Sequence, residues 1–199
     1  MPTPDEATVR RILETNDRDI RCREAVEAAW ETCRQIPDRS WFRRKTTTAA
    51  LMWEHSVNNA VSALEADSGI HVVAHQDTTS FIFDDTVFLR FKRASLTLIS
   101  SNYPTVLANL FHAHERDLFG FDGHHRVEIV QVFNRFQTEL DWIGVVARER
   151  SNILWQFELR RGGAAVIELP LPERPAPAAD TVLRPIRPVG DERRDVDEQ

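Results

Sequence analysis

The main change in the spacing of apolar residues falls between residues 66 and 70. Up to about residue 66 they recur every three or four positions, and from residue 70 they alternate with polar ones. The first stretch reads as helices. Val9, Ile12 and Leu13 form a narrow apolar face behind Pro4-Asp5-Glu6, where acids suit the positive end of a helix dipole. Asn16-Asp17 breaks or bends this run. A second helix is predicted over 17–36, with Cys22, Val26, Ala29, Cys33 and Ile36 on one packing stripe and Pro37 ending it. A third is predicted over 41–66, capped by Ser40, with Phe42, Ala49, Ala50, Trp53, Val57, Ala60, Val61 and Leu64 on its apolar side. Its Thr46-Thr47-Thr48 run is a poor helix former alone, so tertiary packing must hold that turn. Asp67-Ser68-Gly69 is a stop followed by a turn.

The second stretch reads as strands over 70–75, 79–83 and 86–93, joined by links short enough for antiparallel hairpins. Its centre is 81–93, two apolar strands meeting at Asp84-Asp85, with cations emerging at Arg90, Lys92 and Arg93. Val87, Leu89 and Phe91 alternate with Phe88, Arg90 and Lys92, so one face is core and the other is aromatic at one end and cationic at the other. A polar loop over 100–105 then leads, with Pro104 at the first helical position, into a helix to about 115. Gly120 and Gly123 frame a turn. Strands follow over 126–134, 141–148, 152–160 and 164–169, with Arg161-Gly162-Gly163 as the last hairpin turn. From residue 170 the character changes: six of the ten prolines lie in 170–199, with seven acids against five bases, a net of −2. That composition suits a disordered or loosely draped tail.

The predicted class is α+β: N-terminal helices followed by a mainly antiparallel sheet of about seven strands with one packed helix. The helical segment 1–67 and the sheet 68–169 make a single fold, and 170–199 is a Pro-rich, charged tail.

Composition narrows the function classes. With 199 residues, 42% of them hydrophobic, five Trp and eleven Phe, the chain can bury a substantial core. No run approaches the roughly 20 apolar residues of a membrane span, and no charged-then-apolar leader follows Met1, so a cytoplasmic protein is expected. Cys22 and Cys33 are eleven residues apart on one helix, roughly 16 Å by helical rise, beyond disulfide reach. They read as small buried hydrophobes. The net charge of −6 is a poor match for nucleic acid, and Lys45 and Lys92 are the only lysines.

Candidate chemistry is sparse. His112, His114, His124 and His125 lie within fourteen residues, near Glu115 and Asp117. On a helix, however, His112 and His114 point about 200° apart, so a metal site is not expected. A helix, a β-hairpin and a strand ending in lysine is the layout of the PD-(D/E)XK nuclease core, whose carboxylates hold Mg²⁺. Asp84 or Asp85 would be its first acid and Lys92 its lysine. Arg90 occupies the place two before Lys92, where that core needs an acid. No nucleophile elbow, phosphate loop or dinucleotide fingerprint is present. Arg39, Arg43, Arg44 and Lys45 make a basic patch at a helix start, a placement the dipole disfavours. Trp30, Trp41, Trp142 and Trp155 read first as core, although aromatics beside arginine also favour interfaces.

One resemblance rests on particular residues. Gly69-Ile70-His71, Phe83-Asp84-Asp85, Leu89-Arg90-Phe91-Lys92, Asn102-Tyr103-Pro104-Thr105 and Trp155 together resemble an uncharacterised family of small bacterial and phage proteins. The similarity covers about 55–160. Phe119-Gly120-Phe121 departs from the Gly-Tyr segment that follows the helix in that family. Such genes often neighbour one for an ImmA/IrrE-like metallopeptidase, in the manner of toxin–antitoxin or phage-regulatory pairs, so the resemblance implies a protein partner of that kind. It carries no catalytic residues.

The expectation is therefore a non-enzymatic interaction protein, an antitoxin or regulatory partner, without cofactor, metal or membrane association and with a homodimer left open. Arg90, Lys92, Arg93, Asn102, Tyr103 and Thr105 would form its recognition surface. The competing expectation is a divergent Mg²⁺-dependent nuclease or a catalytically dead, nucleic-acid-binding relative.

Overall fold

The computed structural model describes residues 3–37, 41–75, 78–100, 111–112 and 123–163, all within the unit Met1–Gly163. The expected strand over 164–169, the tail, and all of the 104–115 helix except Phe111 and His112 lie outside the described residues.

Helix α1 spans Glu6–Glu14 and buries Val9, Ile12 and Leu13. The Asp5 carboxylate caps it by accepting from the Thr8 amide at 2.8 Å, which satisfies one of the orphan donors of the first turn. Beyond it, Asn16 and Asp17 both adopt φ of 53°. That left-handed region is open to these two residue types and turns the chain. Helix α2, Arg18–Arg34, then buries Cys22, Ala25, Val26, Ala29, Trp30 and Cys33. Neither buried cysteine forms a disulfide. Burial pushes the Cys22 thiol up to about 12, which removes its thiolate at neutral pH.

Helix α3 spans Lys45–Leu64, a later start than position 41. Arg44 is extended and supplies no side-chain cap, and Trp41 is 76% exposed. Cations at the positive end of the dipole oppose extension of the helix, and Trp41 is not packed to offset them. The helix buries Met52, Val57, Ala60 and Leu64. Ala50, placed on the stripe by spacing, is exposed, whereas Ser56 is buried and donates to the Met52 carbonyl at 2.7 Å.

The sheet has six strands among the described residues: β1 Ile70–His75, β2 Thr78–Phe83, β3 Val87–Ala94, β4 His125–Phe133, β5 Leu140–Glu149 and β6 Asn152–Glu158. Their spatial order follows the chain. Four pairings are antiparallel, but β3 and β4 run parallel from Val87↔His125 to Ala94↔Val132. Parallel neighbours require a crossover over one face of the sheet. The fold is thus α+β with a mostly antiparallel sheet.

Helices and sheet share one hydrophobic cluster, in which Val26, Ala29, Val57 and Ala60 meet Phe81, Phe83, Leu89, Val127, Ile129 and Val145. Charged clamps hold this layer at its rim. Arg18 bonds Asp67 and Asp84, at 2.8 and 2.7 Å. Arg23 donates to Glu158 and to the Leu159 carbonyl, and Arg160 donates twice to Asp19 at 2.7 Å. Trp155 Nε1 ties β6 to the Pro4 carbonyl at 2.6 Å. No helix among the described residues is long and apolar enough to cross a membrane.

Candidate functional site

The other face of the sheet differs in kind. Strand alternation sends Phe88, Arg90 and Lys92 of β3, and Arg126, Glu128, Val130 and Val132 of β4, away from the helices. The crossover supplies part of the cover. Phe111 packs with Ile82 and Phe88 in one small cluster, and Ala94, Val130, Val132 and Val146 form another. Charged side chains lie on the same face: Arg90, Arg126, Glu128 and Arg148 are 6%, 2%, 1% and 6% exposed.

Glu128 is the hub. Ser100 donates to its carboxylate at 2.9 Å, and Arg148 Nε does so at 3.1 Å. Arg148 also donates to Ser100 Oγ at 2.7 Å. His112 Nε2 faces Arg148 at 2.6 Å and Glu128 Oε1 at 3.4 Å, accepting from one or donating to the other according to its protonation. Burial alone would raise the Glu128 carboxyl, but its contacts with His112 and Arg148 outweigh that and bring it down to about 2. These bonds fasten two crossover residues, Ser100 and His112, to β4 and β5.

Arg90 sits directly across from Glu128 in the β3–β4 register, yet that carboxylate is engaged elsewhere. Among the described residues, Arg90 makes one hydrogen bond, from Nε to Ser80 Oγ at 2.9 Å. Its guanidinium lies 4.5 Å from the Phe111 ring centroid and 5.5 Å from that of Phe88. Burial lowers its pKa to about 10 against the weaker opposing pull of Glu128. Lys92, two residues on and on the same face, is only partly exposed. Burial lowers its pKa too, with Arg90 and Arg148 adding like-charge repulsion.

Arg90 and Lys92 are therefore not on an exposed strand face. Arg93 is separated from both. It belongs to the helix-side row of β3, stacks over Phe133 at 4.9 Å, and lines a groove of about 310 Å³ at the end of the sheet with Leu96, Phe133, Arg135 and Gln137. Beside that groove Arg135 stacks on Phe136 at 4.8 Å, and Leu96 and Phe136 are 72% and 71% exposed. Asn102, Tyr103 and Thr105 lie outside the described residues, as do His114, Glu115 and Asp117. Among the described residues no cluster of His, Cys, Asp or Glu is arranged to hold a metal.

Asp84 and Lys92 are likewise not brought together. Asp84 and Asp85 form the β2–β3 turn with φ of 47° and 46°, and Asp84 is paired with Arg18. Lys92 lies five residues beyond the start of β3, roughly 17 Å along the strand. Sequence reasoning missed Arg126, Glu128, Arg148, Ser80 and Ser100. The available signal was a set of charges inside otherwise apolar strands, since a strand paired in parallel is commonly covered on both faces. Comparison with protein-family models, with curated proteins and with solved structures finds no match.

Proposed function

We propose that the protein is a non-enzymatic interaction module that docks a protein partner at the end of the sheet where β3 and β4 finish. The observation that supports this most directly is the pair Leu96 and Phe136, each more than two-thirds exposed, beside a groove lined by Arg93 and Arg135. Large apolar side chains next to arginine are typical anchors of protein interfaces. The carboxyl ends of parallel strands are also where α/β sheets commonly bind their ligands. The two arginines fit an apolar segment carrying acidic residues. This moves the recognition surface away from Arg90 and Lys92, and keeps Arg93. The partner implied by the family resemblance is an ImmA/IrrE-like metallopeptidase encoded alongside, in an antitoxin or regulatory pair.

Co-expression with the neighbouring gene product tests this reading. A stoichiometric complex that is lost in Leu96→Ser with Phe136→Ser, while the variant keeps its circular dichroism spectrum, supports it. No complex, or one indifferent to both substitutions, overturns it.

A second reading has one observation in its favour: α3, the β1–β2 hairpin and β3 carrying Lys92 follow the nuclease-core layout. Its first acid is held by Arg18, and Arg90 stands where the second should be. Mg²⁺-dependent cleavage of DNA or RNA that disappears in Lys92→Ala would replace the interaction reading with this one.

A further inference from the structure

We infer that Arg90 and Lys92 form a recessed binding site for a single dianionic phosphate group. The site goes beyond the docking reading and does not depend on it. The two side chains leave one face of β3 two residues apart, roughly 7 Å between Cα atoms, so both head groups can reach one tetrahedral oxyanion. Ser80 fixes the Nε edge of Arg90, and the rings of Phe111 and Phe88 flank the guanidinium. The terminal nitrogens make no hydrogen bond among the described residues. A guanidinium anchored at Nε, with its outer fork unused among the described residues, is preorganised for bidentate recognition of an oxyanion.

Charge matching selects the class of ligand. Glu128 is the carboxylate nearest in register to Arg90, but it is bound by Arg148 and Ser100. Among the described residues neither Arg90 nor Lys92 has an ion pair. Two desolvated cations side by side are costly, and a doubly charged anion offsets both where a single carboxylate would offset one. Burial is the main cause of the depressed pKa of each group, and the opposing pull of Glu128 does not cancel it. Lys92 keeps partial contact with solvent, which gives a small ion a route of entry.

The test uses the full chain in chloride buffer, titrated with inorganic phosphate at constant ionic strength and followed by calorimetry and thermal unfolding. Saturable one-site binding with a rising Tm is expected, together with weaker binding, by about 10-fold or more, in Lys92→Met. Acetate should give no saturation. A 5′-phosphorylated dinucleotide that binds more tightly than phosphate, and loses this on dephosphorylation, would assign the group to a larger molecule. Equal affinity would assign it to the free ion. Absence of saturable phosphate binding to the folded wild type, or binding in Lys92→Met equal to wild type, overturns the inference. Neither result bears on the partner complex, whose test needs no phosphate.

Discussion

Arg18 and Arg90 are the same residue type at almost the same depth, 2% and 6% exposed, on opposite sides of one sheet. On the helix side, Arg18 makes five hydrogen bonds: two to Asp67, two to Asp84 and one to the Ile12 carbonyl. That uses the full donor capacity of a guanidinium. Its pKa is driven upward, mainly by the bond to Asp67. On the crossover side, Arg90 makes one bond among the described residues, to a neutral hydroxyl, and its pKa is driven downward by burial. A buried cation with every donor paired to carboxylates is architecture. A buried cation whose one hydrogen bond among the described residues goes to a hydroxyl, with the nearest carboxylate in register engaged elsewhere, adds little to the fold beyond that bond, which is why it marks a site.

The largest effect should come from breaking the paired side. Arg18→Met leaves Asp67, whose side chain is 6% exposed, with only Arg21 and the Gly69 amide, and releases Asp84. Removing one partner of a buried pair costs about 3–5 kcal/mol. Because Arg21 retains part of the pairing, urea unfolding should show a drop towards the lower end of that range. A loss under about 1 kcal/mol, no more than an exposed pair is worth, would mean that the clamp is decorative. Glu128→Gln should come next. The Glu128 carboxyl is depressed from 4.5 to about 2 in the folded protein, so its stabilisation is complete above about pH 4.5 and is lost as pH falls towards 2. By linkage this is worth about 3 kcal/mol at neutral pH. The Glu128→Gln variant should therefore be less stable at pH 7, and the gap to wild type should close near pH 2. A gap that stayed constant with pH would remove the charge argument for this hub.

The two sides were unequally legible in the sequence. The helices, all six described strands and the Asp84-Asp85 turn followed from period and turn chemistry, because those signals are local. The start of α3 did not, since apolar period alone cannot register that Trp41 has nothing to pack against. The parallel pairing of β3 with β4 was also hidden, because alternation along a strand is blind to the direction of its neighbour. That pairing is what mattered for the site. It brings Phe111 and His112 of the connecting segment onto the second face, where Arg90 and Lys92, correctly placed together by alternation, are buried and half-buried respectively. Arg93 was grouped with them as a neighbour in sequence, whereas period 2 puts it on the other side. Ser80 carried no local mark, and the charge of Glu128 inside an apolar strand gains its meaning only from strand register.

The smallest effect is the most discriminating. Arg90→Met keeps an unbranched, though shorter, apolar chain beside Phe88 and Phe111, and removes a desolvated charge whose one hydrogen bond among the described residues goes to Ser80. Replacing such a group with a hydrophobe of similar volume is often neutral or stabilising. The loss of the Ser80 contact offsets part of the gain, since a buried hydroxyl without a partner costs about 1–2 kcal/mol. In phosphate-free buffer the variant should thus lie within about 1 kcal/mol of wild type. Arg18→Met, the identical chemical change across the sheet, should be strongly destabilised. Adding phosphate should separate wild type from Arg90→Met by stabilising only the former. A loss approaching that of Arg18→Met in phosphate-free buffer would show that Arg90 is as fully paired as its counterpart, and the contrast between the two faces would collapse.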